Sequence, residues 1–588
     1  MTLEEELIPF ADWFPTALGH WAVVVAVLVG ATFLVGWILA IAQSGPVRGT
    51  ERVFLLIPSL LNDLIHTSPR RVMALARLAI HESLHRRVLV TFGLFVVVLL
   101  FATWFLDTDS PDLTKRYLSF VTTWTTYLVL LLALFLSVFS LPVDITSRTI
   151  HTIVTKPVRR QEIVLGRVLG FGIVGTILLL VTGGISYGFV LRGLSHRHTV
   201  DLESLKAEEG SSIKRGRSSP EHNHRHEVQL DPDGKLIVEP TEGHWHEANA
   251  DGTELGPPEG YLQARIPKYG KMRFLDDQGN PGPGVSVGKE WTYRKYIRGG
   301  TLAAAIWTFD DVTPAMLNEM GQLPIELTLS VYRTRKGDIN RRVLGTIQLI
   351  NPDTQRSSKP ITFESHEFNS QLLLLDKAQR NQRDQKIDLF EDLVSDGRIE
   401  VMVRCLEHSQ YFGMAQADVY IRSGEGSFAV NFIKAYVGIW LQMILVIGLG
   451  VAFSTFLNSA VSMLATMAAI LGGFFLQFVS QMAQGGVEGG GPLESVYRII
   501  ANQNLTSELE SGSGTDAIKL VDEVFQYLFR FASALLPDFS SLSGEAFLIN
   551  GYDIAIDQVA INVVSTLAYL IPVCLFGYLF LKIREIAR

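Results

Sequence analysis

The stretch Ala435–Val487 holds no charged residue, and no other feature constrains the fold of this chain as tightly. A helix crosses the bilayer core in about 20 apolar residues, each rising about 1.5 Å. The stretch is too long for one span and fits two, broken near Asn458–Ser459. Uncharged apolar runs also occur at Trp21–Ile41, Val88–Leu106, Tyr117–Val143, Val168–Leu191 and Val559–Leu581, which makes about seven predicted spans. Glu4-Glu5-Glu6 stands ahead of the first run, where a cleavable signal peptide would be basic. With 48% hydrophobic and 19% charged residues, neither a soluble multidomain enzyme nor a disordered chain fits. The net charge of −8 leaves no basic footprint, so no nucleic-acid partner is expected. The expectation is an α-helical polytopic membrane protein.

Lys and Arg in the short loops orient the spans. The first 18 residues have none. Arg48, Arg52, Arg70, Arg71, Arg77, Arg86 and Arg87 follow the first run, Arg148, Lys156, Arg159, Arg160 and Arg167 the third, and Lys582, Arg584 and Arg588 the last. Taken as cytoplasmic, these positions alternate without conflict. They predict a bacterial-type cytoplasmic (inner) membrane, with the N-terminus and residues 193–428 outside and the C-terminus cytoplasmic. The predicted units are an extra N-terminal span with a cytoplasmic linker (1–69), an interfacial helix with three spans (70–192), an inserted mainly-β extracytoplasmic domain (193–428) and three further spans (429–588). The last unit includes an extracytoplasmic segment, 488–557, with helical patterns at Leu493–Ile500 and Ala517–Leu536. The inserted domain opens polar and rich in Gly and Pro to near residue 290. Beyond that, Ile325–Tyr332, Val343–Ile350, Ile399–Arg404 and Ala417–Ile421 alternate as strands of an antiparallel β-sandwich. A charged, helix-like stretch at 370–395 is expected to interrupt it. No internal repeat is evident.

No predicted span carries an ionisable residue in its interior, which disfavours ion coupling and points to an external energy source. Arg70, Arg77, His81 and His85 recur at helical spacing against Met73, Ile80 and Leu84, as on an interfacial helix. The loop 144–167 carries Asp144-Ile145, Arg148-Thr149-Ile150, Lys156-Pro157-Val158-Arg159-Arg160 and Ile163-Val164-Leu165-Gly166-Arg167. A short helix stopped by Pro157 makes a rigid knob whose flanking cations suit acidic groups on a soluble partner. This pattern resembles the type-2 ABC exporter permeases, where the loop forms the coupling helix seated in a groove of a separate ATPase. Ala74–Leu89, Leu535–Ser540 and Lys582–Ala587 are similar to the subgroup that includes nitrous-oxide-reductase maturation permeases. The resemblance covers residues 70–192 and 429–588. It implies a six-helix exporter core plus one extra N-terminal helix, a second permease copy, and a cytoplasmic ABC ATPase subunit that binds ATP-Mg. The implied ATPase-coupling residues are Asp144, Ile145, Arg148, Thr149, Ile150, Lys156, Pro157 and Arg160. The first span and the 193–428 insertion depart from the family pattern.

No nucleotide site is expected in the chain itself. Gly282–Lys289 approaches a phosphate loop, but Pro283 stands where its first Gly belongs and Glu290 where Ser or Thr belongs. No catalytic constellation is visible either, so ATP hydrolysis falls to a partner. Seven of the 14 histidines lie within 196–246, as His196-x-His198, His222-x-His224-x-His226 and His244-x-His246. Residues two apart on an extended strand share a face, so each pair can offer two imidazoles to one transition metal, with zinc, copper or nickel suited to them. The Ser-, Gly- and Pro-rich surroundings favour instead a polar, partly flexible loop. Trp307, Tyr332, Tyr411 and Phe412 are expected in the β core, and Cys405 and Cys574 are expected to stay unbridged. The leading reading is the permease subunit of an ATP-driven exporter of unknown substrate. The alternative is a membrane-anchored extracytoplasmic binding or assembly protein without transport, or one that handles metal.

Overall fold

The computed structural model describes residues 9–85, 113–149, 155–207, 213–484, 490–503 and 512–583, with a few single positions between 90 and 101. Within those stretches, positions 222–223, 233, 240, 242–243, 250, 286–293, 319, 335–341, 366–369 and 409 are excepted. The described helices are α1 (Phe10–Ser44), α2 (Pro46–Ile65), α3 (Pro69–His85), α4 (Leu113–Thr146), α5 (Arg160–Leu194), α6 (Phe428–Ser454), α7 (Ser459–Phe474), α8 (Leu476–Ala483), α9 (Pro492–Ile500), α10 (Ser513–Leu535), α11 (Glu545–Ile549) and α12 (Ile556–Ile583). Five of them, α1, α4, α5, α6 and α12, are long and apolar enough to cross a membrane. The break expected near Asn458 is present. Asn458 caps α7, its side chain accepting from the Val461 amide at 2.9 Å. The sixth predicted span is not straight: α7 and α8 meet at a 72° bend. The second, Val88–Leu106, lies almost wholly outside the described residues. The helical patterns read at Leu493–Ile500 and Ala517–Leu536 correspond to α9 and α10.

Helix α6 is the axis of the bundle, packed against α4, α5, α7 and α12. One apolar core runs through them, including Val121, Leu141, Val190, Val446, Ile447 and Leu581. Small residues set the closest approaches. A Cβ on Gly450 would collide with Ser137 of α4, and one on Gly170 would stand 2.7 Å from the Ala76 carbonyl of α3. Helix α3 therefore lies directly on α5 through Ala76 and Ala79, both fully buried.

The chain between α5 and α6 forms two β units, and two expectations fail there. The 370–395 stretch is not a helix. It forms the strands Ser370–Asp376, Ala378–Arg380 and Lys386–Asp388, followed by one wide turn at Leu389–Leu393. Its Leu372–Leu375 run pairs with Gln322–Thr328, and that pairing overrides the helix-like charge pattern. The polar region up to residue 290 is also built of short strands, from Lys206–Ala207 to Pro281–Gly282.

The larger unit is the predicted antiparallel sandwich. A six-stranded sheet runs in the order Ile361–Ser365, Val343–Ile350, Ile399–Cys405, Ala304–Phe309, Lys271–Leu275, Pro281–Gly282. A four-stranded sheet runs Ser370–Asp376, Gln322–Thr328, Val419–Glu425, Arg265–Tyr269. Alternate residues of both meet in one core around Trp307, Ile325, Ile347, Val401 and Ile421. Trp307 and Phe412 are buried as expected, while Tyr332 is exposed on a third, three-stranded sheet. Arg265 fastens the sandwich to the bundle. Its amide donates to the Gly551 carbonyl at 2.8 Å, its carbonyl accepts from the Asp553 amide at 2.8 Å, and its guanidinium pairs with Glu326.

Candidate metal centre

Each histidine pair belongs to a five-residue pattern, His-x-His-x-apolar, ending in Val200, Val228 or Ala248. Alternation on an extended chain puts both imidazoles and the apolar residue on one face. The three aliphatic side chains join Leu205, Leu236 and Leu255 in a small separate core. Two of the pairs start from the same turn. Glu221 and His224 exchange backbone hydrogen bonds of 3.2 and 3.0 Å, and Thr241 and His244 bonds of 2.9 and 3.1 Å. The first pair is tied to the last hairpin by Leu255 N to His198 O and Val200 N to Thr253 O, both 2.8 Å. Three extended segments thus enclose one centre.

Six histidines converge there: His196, His198, His224, His226, His244 and His246, all buried, each offering a ligand atom within 4.8 Å of every other. Their mutual arrangement is an octahedron. Every ring neighbours four others, at centroid distances of 4.7 to 5.2 Å. The pairs that are not neighbours, His196/His226, His198/His244 and His224/His246, lie opposite one another. The first members of the three pairs (His196, His224, His244) form one triangular face. The second members (His198, His226, His246) form the other. Adjacent Nε2 atoms are 3.1 to 3.2 Å apart where His198 meets His224 and where His244 meets His196, His224 and His226.

The backbone fixes which nitrogen faces inward. Nδ1 of His198 donates to Ser219 O at 2.7 Å, that of His226 to Glu239 O at 3.1 Å, and that of His246 to Gly256 O at 2.7 Å. His196 Nδ1 reaches Leu194 O, the last residue of α5, at 2.9 Å. A carbonyl accepts only from N–H, so these four rings carry the proton on Nδ1 and turn Nε2 lone pairs to the centre. Among the described residues, the Nε2 of His246 is buried without a protein hydrogen-bond partner. Burial and the neighbouring imidazoles push His226 down to about 4, against the pull of the Glu239 carbonyl, and push His244 down to about 2. Burial likewise lowers His198 and His246. Neutral rings are the metal-binding form. His244 is further held by Tyr261, stacked on it at 4.0 Å.

The flexible-loop reading of this tract is therefore corrected. Low apolar content hid a fold that adds six buried imidazoles to a small aliphatic core. His222 lies outside the described residues. The sequence does hold a signal that was passed over: Pro220, Pro240 and Pro257 are each followed, four residues on, by His224, His244 and Tyr261. The residues before these prolines, Ser219, Glu239 and Gly256, are the three carbonyl acceptors named above. Proline holds the preceding residue extended, which fixes where that carbonyl sits. An internal repeat exists after all.

The predicted coupling residues lie at the far end of α5. Asp144 is buried and pairs with Arg167, which also pairs with Glu82, so α3, α4 and α5 are joined. Thr149 Oγ1 donates to Asp144 Oδ1 at 3.2 Å, and Ile145 packs on the bundle core. Arg148 is exposed with φ of 60°, the left-handed region. Lys156 and Pro157 are exposed, and Ile150 lies outside the described residues. Arg160 turns inward, donating to Leu581 O of α12 at 2.7 Å. Sequence reasoning missed Asp63 of α2, which accepts from Arg159 at 2.8 Å, Tyr578 at 2.6 Å and Lys582 at 2.7 Å. It also missed Glu162, which pairs with Arg71 at 2.7 Å.

Comparisons with family models, with curated proteins and with solved structures return no match.

Proposed function

We propose that this chain is the membrane-embedded permease subunit of an ATP-driven exporter, carrying an external domain built around a metal centre. The observation that carries the reading is the polar belt at one end of the bundle. There the two ends of the 144–160 segment are bonded, through Asp144, Arg167 and Glu82 to α3 and through Arg160 to α12, while Lys156 and Pro157 stay exposed. A push on a segment whose two ends are bonded to neighbouring helices moves those helices. In this reading the belt is cytoplasmic, the His-rich and sandwich units are outside, and two permease copies face each other in the inner membrane. A separate ATPase supplies the energy.

The six histidines favour a second reading, a metal-handling protein without an ATPase. Their enclosure weighs against metal transit, because a site saturated by six buried ligands leaves an ion no open position for exchange.

The test uses the full chain purified in detergent with the stand-alone ABC ATPase of the same cells. The expected result is a stable complex whose ATP hydrolysis depends on the permease, lost on Ile150→Asp and weakened in a salt-sensitive way by Lys156→Glu. Unchanged association in both variants, at normal permease abundance, would remove the exporter reading.

A further inference from the structure

We infer that the six-histidine centre holds one six-coordinate divalent ion of the Fe(II)-to-Ni(II) group, in a closed site whose work is to lock the 196–261 unit rather than to catalyse. The Nε2 spacing decides the geometry. Octahedral neighbours 3.1 to 3.2 Å apart place the centre about 2.2 Å from each nitrogen, with opposite nitrogens about 4.4 Å apart. That fits within the 4.8 Å limit spanning all six. Lone pairs converging in a dry pocket repel one another unless a cation sits among them.

The donor set then narrows the ion. Six imidazoles with no carboxylate or carbonyl among them exclude the oxygen-seeking Ca(II) and Mg(II), and the absence of sulfur among them disfavours Cu(I). Zn(II) has no ligand-field preference for six ligands and is commonly held by four, and Cu(II) prefers a tetragonal field. Fe(II), Co(II) and Ni(II) accept imidazole and favour the octahedron.

Saturation settles the role. With all six positions filled by protein, no water or substrate reaches the ion, so Lewis-acid and hydrolytic chemistry are unavailable. What the ion does is join three chain segments. One starts two residues after the end of α5. Another ends at His246, whose hairpin leads to Tyr261, and Tyr261 packs on the helix bundle. The ion closes this loop at the point where the chain leaves the helices. The site and the exporter reading fail independently, since metal-free chain can still bind an ATPase.

The experiment takes the full chain in detergent, strips it with EDTA and reloads it with Co(II), Ni(II) or Zn(II) alone. Co(II) is expected to give the weak visible bands of an octahedral field, and X-ray absorption of the Ni(II) form six nitrogen neighbours at about 2.2 Å. Ni(II) is expected to displace Zn(II), and not the reverse. His226→Ala should weaken Ni(II) binding roughly a hundredfold or more, since changes even beyond the ligands cost 10–100-fold. His408→Ala, at an exposed histidine beyond the site, should leave it unchanged. Intense tetrahedral Co(II) bands, four-coordinate Ni(II), Zn(II) displacing Ni(II), or equal losses from the two variants would overturn the assignment. So would a wild-type chain that takes up none of the three ions.

Discussion

Replacing Arg167 by Met tests whether the polar belt holds the helices together. The Arg167 side chain is only 4% exposed and lies between Glu82 and Asp144, whose side chains are 22% and 10% exposed. Methionine keeps much of the volume but removes the guanidinium that both carboxylates share. Breaking a buried pair from one side costs about 3–5 kcal/mol, because the remaining charge loses its partner and is not returned to water. For a folded unit of 150–250 residues, each kcal/mol moves the midpoint by about 2–4 °C, so the expected fall in Tm is roughly 6–20 °C. The assay is thermal unfolding of the detergent-purified chain followed by tryptophan fluorescence. The triple change Arg167→Met, Asp144→Asn, Glu82→Gln removes both carboxylate charges along with the arginine, and should recover most of the loss. A single variant as stable as the wild type, or a triple variant no better than the single, would refute the reasoning.

In a cysteine-free background, Ser211→Cys and Ser147→Cys should label from opposite sides of the membrane with an impermeant thiol reagent, and labelling of both in intact cells would overturn the orientation. In the native chain, Cys405 should resist maleimide at pH 8 until the protein is unfolded. Burial pushes its thiol up to about 12, against the pull of the Glu407 carbonyl, so its reactive thiolate is scarce at any pH below that. Rapid modification of folded protein would show that the sandwich core near Cys405 opens.

Where burial follows hydropathy, the sequence is easily read. The runs at Tyr117–Val143, Val168–Leu191 and Val559–Leu581 fall within α4, α5 and α12, and the break at Asn458 could be named because an N-cap residue stands at the end of an apolar run. The alternating strands Val343–Ile350 and Ile399–Cys405 were legible for the same reason. The failures share a cause as well. Residues 370–395 carry helix-like charge spacing, yet their register is set by a partner strand, Gln322–Thr328, far along the chain. The tracts flanking the histidines lack apolar content, so a hydropathy reading finds no core. The core there joins a few aliphatic side chains to imidazoles satisfied by backbone carbonyls and, by inference, an ion.

The repeat explains how so polar a stretch specifies one arrangement. Each unit supplies two inward nitrogens, and the residue before the next proline supplies the carbonyl that orients the second of them: Ser219 for His198, Glu239 for His226, Gly256 for His246. The outer shell of the site is therefore carried by the same segments as the inner one, and no additional loop has to be recruited to set the tautomers. The third proline is followed by Tyr261 in place of a histidine, because the octahedron is already complete with the pair at His196 and His198. A tyrosine there stacks on His244 and also packs against the core of the helix bundle. Substituting histidine at that position would add a seventh imidazole beside the six and give up the aromatic contact, at the point where the domain meets the helices.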